Sequence, residues 1–197
     1  MKLNKKGAMF GLDARIALAI FGALSVISGA ALYSAINQSK VVAYQSQLSE
    51  LEKAVSSYLL DTGIDLPIAS ITGAITTYLT EDNGITGWKG PYLQAERETA
   101  GDANRLDFGF LDSYYFKVKV ANDSAWESPE DNADGNGECS SASTCYYWME
   151  VRFHSSSVLN ELDLAYDGEL NSAEGIFRVK DTVNVGYLKS IPMLKQP

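Results

Sequence analysis

The run of residues 16–36 constrains this chain more than any other stretch of its sequence. It contains no charged residue and consists of Ile, Leu, Val, Phe, Ala and Gly with a few Ser and one Tyr. About 20 consecutive apolar residues are enough for an α-helix to cross a bilayer. The run therefore predicts a membrane-spanning helix close to the N-terminus.

The charges that precede this run predict its orientation. Lys2, Lys5 and Lys6 come before it, and positive residues mark the cytoplasmic side of a membrane span. A signal peptide also combines a basic start with an apolar segment, but that segment is shorter and ends at a small-residue cleavage site. The present run is long and leads into a further helical pattern, which favours a retained anchor.

The helical pattern continues over residues 37–61. Apolar residues recur there in steps of three and four, at Val41, Tyr44, Leu48, Leu51, Val55, Tyr58 and Leu59. This spacing is typical of a helix with one apolar stripe. No proline interrupts it, and Thr62 followed by Gly63 favours its end. A stripe of Leu and Tyr would be exposed to water in an isolated helix, so we expect residues 64–197 to pack against it.

The residues before the apolar run carry a family resemblance. Two lysines, then Gly7 and Ala8, then Asp13 form a pattern that resembles the N-terminus of type IV prepilins and of type II secretion pseudopilins. Those proteins have a short basic leader that ends in Gly, less often in Ala, and an acid at the fifth position of the mature chain. Cleavage after Ala8 makes Met9 the first residue and Asp13 the fifth. Cleavage after Gly7 would place Leu12 at the fifth position, so the resemblance favours the cut after Ala8.

The resemblance implies a processing site at Ala8 and Met9 and an assembly role for Asp13. A prepilin peptidase would create a new amine at Met9, and an amine taken out of water needs an opposite charge. The sequence departs from the family pattern in Ala8 for Gly, in Asp13 for Glu, and in the extra charge of Arg15. Arg15 offers Asp13 a rival partner or reaches lipid phosphates. In the simpler alternative, Asp13 and Arg15 cap the helix and mark the membrane interface.

Beyond residue 62 the pattern changes to short segments. Those rich in β-branched and aromatic residues predict strands at 106–110, 114–121, 146–153, 175–179 and 183–188. Helical spacing predicts a helix over 158–166 and a short helix over 68–79. These elements favour an α+β fold, in which a small antiparallel β-sheet head packs on the distal half of one long N-terminal helix, a pilin-like lollipop.

The predicted organisation has four parts. A leader peptide covers residues 1–8, and a transmembrane and assembly helix covers 9–36. An amphipathic helix over 37–61 packs on the head, and the globular α+β head covers 62–197.

Two short motifs in the head add to the resemblance. Residues 87–93 read Gly-Trp-Lys-Gly-Pro-Tyr-Leu and are similar to the Trp-Gly-Pro-Tyr loop that follows the long helix in many pilins and pseudopilins. A loop of this kind is expected to fix a sharp turn and plug the edge of a core. The series Leu162-Asp163, Asp167-Gly168 and Gly175 resembles a leucine–aspartate, aspartate–glycine, glycine pattern near the C-terminus of pseudopilin-like proteins.

The two cysteines, Cys139 and Cys145, have five residues between them. This spacing differs from the Cys-x-x-Cys of redox and zinc sites, and no further Cys or His pair is present for zinc. The head is predicted to lie outside the cytoplasm, where disulfides persist. We therefore favour a Cys139–Cys145 disulfide over two free thiols, and pilins often carry a disulfide near the C-terminus.

The composition argues against several classes of function. A formal net charge of -9 leaves no basic face for nucleic acid. His154 is the single histidine, and neither a Gly-Lys-Ser/Thr phosphate loop nor a Gly-x-Ser-x-Gly elbow appears. We expect no enzyme activity and no nucleic-acid partner.

Two groups of oxygen-bearing side chains raise the question of a metal. The groups are Asn132, Asp134 and Asn136, and Asp163, Asp167 and Glu169. The first resembles the start of a calcium loop, but Ser143 stands where its bidentate acid is expected. The second is relevant because the major pseudopilins that this chain resembles bind calcium near their C-terminus. Solvated loop acids are the favoured interpretation of both, so no cofactor is predicted and calcium remains the alternative.

The resemblance implies a structural subunit of a type IV pilus-like filament or of a type II secretion pseudopilus. Its partners would be itself, other pilin-like subunits, prepilin peptidase, the inner-membrane assembly machinery and membrane lipid. Its N-terminus would be cytoplasmic and its head periplasmic, then part of a periplasmic or extracellular filament. The alternative function is a monomeric, single-pass, membrane-anchored periplasmic domain for binding or sensing.

Overall fold

A computed structural model describes residues 6–69, 73–97, 104–109, 113–126, 137–140, 142–153 and 157–196, with side chains from residue 11 onward except at 113 and 114. The chain forms two compact units, Met1–Lys40 and Val41–Pro197. Helix α1, Lys6–Thr62, contributes residues to both units. The units divide after Lys40, whereas the sequence pattern divides the helix after residue 36.

In the first unit, helix α1 exposes its apolar side chains. Phe21 and Leu24 are 70% and 58% exposed. The hydroxyl of Ser25 donates a hydrogen bond of 2.8 Å to the Phe21 carbonyl, so this polar group is satisfied by its own helix. A continuous apolar surface of this kind requires lipid or protein around it.

In the second unit, six strands of the described residues form one antiparallel sheet. They are β1 Glu96–Arg97, β2 Leu106–Asp107, β3 Ser113–Asn122, β4 Cys145–Phe153, β5 Phe177–Lys180 and β6 Val185–Pro192. Their order is β1-β2-β3-β4-β6-β5. The two longest strands, β3 and β4, lie side by side with Val118 opposite Met149. A helix combined with an antiparallel sheet confirms the predicted α+β class.

The distal part of α1 supplies one wall of the core of this second unit. The buried stripe consists of Val41, Tyr44, Leu48, Leu51, Val55, Tyr58 and Leu59, as the helical spacing predicts. Because side chains alternate along a strand, Phe116 and Val118 of β3 share one face and belong to the same core cluster. The ring of Tyr44 contacts that of Phe153 of β4, with centroids 4.6 Å apart.

The other face of the sheet carries a second buried cluster that the sequence pattern does not predict. Trp126, Trp148 and Tyr187 pack there, with the two indole centroids 4.5 Å apart. Lys119 alternates with core residues of β3 and is nevertheless only 2% exposed. Its ammonium lies 3.5 Å from the carboxylate of Glu150, because a charge buried this deeply needs an opposite partner.

Helix α2, Ser157–Asp167, confirms the helix that the sequence predicts over 158–166. Leu159 and Leu162 are buried in the core. The ring of Tyr166 stacks on that of Phe177 at 5.4 Å, which joins the end of α2 to strand β5.

The short helix predicted over 68–79 is wrong for the described residues of that segment. Ile68 pairs with Ala74 in an isolated β-bridge, and only Thr76–Leu79 forms a 3₁₀ turn. The segment is rich in Thr and Ile, whose branched side chains favour extended backbone. Residues 70–72 lie outside the described residues.

The last two strands are confirmed as a pair, but their bounds move toward the C-terminus. The predicted 175–179 and 183–188 are observed as Phe177–Lys180 and Val185–Pro192. Asn184 between them adopts φ 53°, a left-handed conformation that Asn tolerates better than most residues. The final strand therefore begins only after Asn184.

Candidate functional site

The candidate assembly site is the charged turn of α1 that precedes the apolar run. Asp13 and Arg15 are both exposed. They are two residues apart, and a helix turns by about 100° per residue, so their side chains leave the axis in nearly opposite directions. Among the side chains that the structure describes, neither one makes an ion pair. The turn thus presents a negative charge on one side of the helix and a positive charge on the other.

The predicted processing site lies on the same helix. Ala8 and Met9 are within α1, and their side chains lie outside the described residues. Met9 precedes Asp13 by four residues, so the helical backbone places the two on one side, one turn apart.

The stretch that follows the charged turn has the composition of a membrane span. Of the described helices, one near the N-terminus is long and apolar enough to cross a membrane, with a mean hydropathy of 2.1 in its most apolar window and none of that window buried. These features are consistent with membrane anchoring.

The Gly-Trp-Lys-Gly-Pro-Tyr-Leu loop packs beside the end of α1. The indole N–H of Trp88 donates to the Tyr78 carbonyl at 2.8 Å, and the ring of Tyr92 meets that of Tyr58 edge to face at 5.9 Å. A Cβ atom at Gly87, where φ is 88°, would lie 2.6 Å from the carbonyl oxygen of Asp61. Gly is therefore required at position 87, and the loop fixes a turn against the core as expected.

The leucine–aspartate, aspartate–glycine, glycine series stabilises the connection from α2 to β5. The carboxylate of Asp167 accepts the N–H groups of Ile176 and Phe177 at 3.0 and 2.8 Å. Gly175, at φ 99°, lies so close to the Asp167 carboxylate that a side chain there would collide with it. The motif thus has a structural explanation: Asp167 satisfies two backbone donors that enter a strand.

The interpretation of the second acidic group as solvated loop acids is wrong for Asp163. Asp163 is 2% exposed, and one of its carboxylate oxygens accepts the Asn171 N–H at 3.0 Å. The other oxygen, Oδ1, is buried without a hydrogen-bond partner among the described residues. Burial raises the pKa of Asp163, the hydrogen bond from Asn171 lowers it, and the nearby carboxylates of Asp167, Glu169 and Asp181 raise it further.

The described residues do not assemble a metal site. No group of three or more His, Cys, Asp or Glu residues is placed there so that it could hold an ion. Asn132, Asp134 and Asn136 of the first acidic group lie outside the described residues, as does His154. Of the second group, Asp163 and Asp167 accept backbone hydrogen bonds.

Cys139 and Cys145 form the predicted disulfide, with their Cα atoms 5.6 Å apart. The same region holds the C-terminal segment. The amide oxygen of Gln196 accepts the Cys145 N–H at 2.6 Å, and the Cys145 carbonyl accepts the Met193 N–H at 2.9 Å. The disulfide therefore closes a loop at the start of β4, where the last described residues of the chain also contact the sheet.

Asp65 is a structural residue that the sequence analysis missed. Its carboxylate accepts the Tyr147 hydroxyl at 2.9 Å and the N–H groups of Leu194 and Lys195 at 2.8 and 2.7 Å. Burial and this carboxylate raise the pKa of Tyr147. Asp65 thus links the residues after α1 to the sheet and to the C-terminal segment, which are far apart in the sequence and offer no local signal.

Arg178 is a second residue that the sequence analysis missed. Its guanidinium lies 4.4 Å from the ring centroid of Trp126 and 4.5 Å from that of Trp148, a cation–π arrangement with each of the two indoles. It also donates to the carboxylate of Asp123 at 2.9 Å. Burial lowers the pKa of Arg178, and Asp123 opposes this. Arg178 therefore holds residues 123–126 against the face of the sheet that carries Trp148.

Neither motif of the head nor the two missed residues form a catalytic arrangement among the described residues. The features that bear on function are the charged turn, the exposed apolar helix and the buried stripe that follows. Comparison of the chain with protein-family models, with curated proteins and with solved structures found no match.

Proposed function

We propose that this chain is a structural subunit of a type IV pilus-like filament or a type II secretion pseudopilus. One observation supports the proposal most: a single helix, α1, combines an exposed apolar run that begins at a charged turn with a stripe that is buried in an α+β unit. The first property suits packing with lipid or with other helices. The second gives the same helix a folded domain of its own.

Charge pairing at Asp13 would drive the assembly step. Cleavage after Ala8 by a prepilin peptidase creates a positive amine at Met9. Packing helices into a filament removes that amine from water, and an unpaired buried charge is costly. We expect the carboxylate of Asp13, one turn further on, to pair with the Met9 amine of its own or an adjoining subunit. Such a pair would also set the axial register between subunits.

The proposal includes a location and a set of partners. The lysines of the leader favour a cytoplasmic N-terminus, which would put the head in the periplasm until the subunit enters a filament. The partners are other copies, related pilin-like subunits, the inner-membrane assembly machinery and lipid. The disulfide of the head supports this location, because disulfides persist outside the cytoplasm.

Mass spectrometry of the mature N-terminus in the native host tests this function. We expect a chain that begins at a methylated Met9. An intact chain from Met1, held in the membrane, would contradict the proposal and favour a monomeric, membrane-anchored binding or sensing domain.

Filament incorporation tests the role of Asp13 separately. Asp13→Ala should leave expression and membrane insertion intact while incorporation falls sharply, because the Met9 amine loses its counter-charge. Arg15→Ala, in the same helical turn, is the matched control and should have a smaller effect. Normal incorporation of the Asp13→Ala subunit would exclude the charge-pairing mechanism.

A further inference from the structure

An open cleft lies at one end of the sheet, where strands β1 and β2 separate. The ladder between these strands covers two residue pairs, and it ends where Glu96 lies opposite Asp107. The cleft has a volume of about 370 Å³ and is lined by Gln94, Ala95, Glu96, Asp107, Phe108 and Gly109. Pockets for small molecules measure about 300–1,000 Å³, so this cleft is at the small end of that range and suits one long side chain.

The two carboxylates of the cleft face each other across the ladder without a counter-charge. Like charges on directly opposed residues of an antiparallel pair are destabilising. Glu96 and Asp107 are both exposed, and neither makes an ion pair among the residues that the structure describes. Departures from a local rule of this kind are expected at functional sites. A positive charge from a ligand would therefore stabilise the pair.

The basic residues nearest to the cleft in the sequence are directed elsewhere. Arg97 follows Glu96 directly in β1, and successive side chains of a strand point to opposite faces of the sheet. The guanidinium of Arg105 lies 4.4 Å from the ring centroid of Tyr115 in β3. A basic ligand in the cleft would therefore compete with neither of these two side chains.

The cleft combines its charge with an apolar wall. Ala95 and Phe108 are half-buried and pack against the main core cluster, and the ring of Phe108 meets that of Phe116 edge to face at 4.6 Å. One oxygen of Asp107 accepts the Gly109 N–H at 2.7 Å, which orients the carboxylate and leaves its second oxygen for a ligand. A long basic side chain can lay its aliphatic stem on apolar surface while its charged end stays at the polar rim.

We propose that this cleft binds an arginine side chain that a partner protein presents. Arginine suits the site better than lysine, because its planar guanidinium carries a fork of N–H donors that can reach two opposed carboxylates at once. The arginine belongs to a protein because free arginine carries a carboxylate of its own, which the two acids would repel. A divalent cation fits less well, because calcium takes about 6–8 oxygen ligands and one oxygen of Asp107 is already used.

This contact goes beyond the filament function and does not depend on it. Every residue of the cleft belongs to the second unit, whereas processing and assembly use the N-terminal part of α1. An uncleaved chain in the native host would remove the filament function and leave the cleft as it is.

A titration of the isotope-labelled full-length chain in maltoside micelles, followed by nuclear magnetic resonance, tests the proposal. The probe is the peptide acetyl-Thr-Arg-Thr-amide, which has no carboxylate. We expect its addition to shift the amide resonances of Ala95, Glu96 and Gly109. The same peptide with citrulline, the neutral isostere of arginine, should bind about tenfold more weakly, because it makes neither ion pair.

Variants of the cleft should weaken the arginine peptide without unfolding the head. Glu96→Gln should do so by about threefold to fivefold, the range of an exposed ion pair. Asp107→Asn should act similarly, since its amide oxygen can still accept the Gly109 N–H. Both changes remove like-charge repulsion, so neither should lower the thermal stability of the head. Glu81→Gln, at an exposed acid outside the cleft, is the matched control and should leave binding unchanged.

Several outcomes would overturn the proposal. These are no shift at millimolar peptide, shifts confined to other parts of the head, equal binding of the citrulline peptide, and unchanged binding by Glu96→Gln. An equal loss from Glu81→Gln would show general attraction to an acidic chain instead of a site. Calcium chloride and free arginine are titrated separately. Calcium that shifts the same amides and excludes the peptide would make the cleft a metal site, and free arginine that binds as tightly as the peptide would remove the partner protein.

Discussion

Leu24 and Leu48 belong to the same helix and have opposite environments. Leu24, in the first unit, is 58% exposed, and Leu48, in the second, is fully buried. Both positions suit a helix equally, because Leu has a high helix propensity. The difference teaches that helix formation in this chain is local, whereas burial depends on whether the chain itself supplies a partner.

The two parts of α1 therefore obtain their stability from different sources. From Val41 onward, the stripe packs against strands of its own unit. The apolar residues before Lys40 gain nothing from burial within the chain and need lipid or other helices. Changes of the same kind in the two parts should have different consequences.

The largest effect is expected from removing residues 1–37. The truncated chain should lose all association with lipid vesicles, since the exposed apolar run is gone. It should remain a folded, soluble monomer, because every residue of the main core cluster lies at or after Val41. Flotation with vesicles and circular dichroism measure the two properties. An unfolded product would show that the division between the two parts is wrong.

The next largest effect is expected from Leu48→Ala in this truncated chain. The change leaves a cavity at a fully buried site and should lower the free energy of unfolding by about 3–5 kcal/mol. Leu24→Ala in the full-length chain is the matched control and should leave thermal unfolding of the head unchanged. Urea denaturation measures the first and thermal denaturation in detergent the second. Similar losses of head stability from both changes would show that the two parts of α1 do not differ in their contribution to the folded head.

A smaller loss is expected when Cys139 and Cys145 are both changed to Ser. The disulfide closes a short loop, so the constraint that it places on the unfolded chain is limited, and about 2 kcal/mol is the expected cost. The hydrogen bonds that join Gln196 and Met193 to Cys145 use the backbone N–H and carbonyl of Cys145 and can survive the change. Denaturation with and without reductant measures the effect. A head that fails to fold without the disulfide would refute this estimate.

A gain in stability is expected from Gln47→Leu. Gln47 is 2% exposed, and both polar atoms of its amide lack a hydrogen-bond partner among the described residues. Removing such groups from a buried site should stabilise the head by about 1–2 kcal/mol. Gln45→Leu, the same change at a half-buried site, should shift stability by less than about 0.5 kcal/mol. Urea denaturation measures both changes. Equal effects at the two positions would show that the side-chain amide of Gln47 has hydrogen-bond partners in the folded state.

The smallest effect concerns pH and Asp163. Its pKa is raised by burial in the folded state, so the folded state binds the proton more tightly than the unfolded state. The stability that this proton provides is present at low pH and is lost as pH rises through the raised pKa. Asp163→Asn should remove this dependence and stabilise the head at neutral pH by about 1 kcal/mol. Thermal denaturation from pH 4 to 7 checks it. An unchanged pH profile would show that another group is responsible.

Several features of the fold are local enough to be read from the sequence. The stripe from Val41 to Leu59 follows from residue spacing alone, because a helix repeats every 3.6 residues. Strands β3 and β4 follow from β-branched and aromatic residues in alternation. The disulfide follows from Cys139, Cys145 and the compartment that the apolar run implies.

Other features depend on partners that are distant in the sequence. The spacing of Ile68 and Leu79 suggests a helix, but the Ala74 N–H donates to the Val118 carbonyl of β3, and Ile68 and Ala74 form a β-bridge instead. The sequence suggests that Asp163 is a solvated loop acid, but in the fold it lies on the buried side of α2. For residues of this kind, local pattern competes with tertiary contacts, and the tertiary contacts prevail.

The sequence by itself determined the long helix, its change from an uncharged run to an amphipathic stripe, the α+β class and the position of Asp13 and Arg15. Each of these depends on composition or on spacing along one element. Only the tertiary structure decided that Asp65 holds the C-terminal segment, that Arg178 lies against two indoles and that Asp167 satisfies the donors entering β5. The physical reason is that a buried polar group must find its partner wherever the fold brings one, and the chain order does not specify where that is.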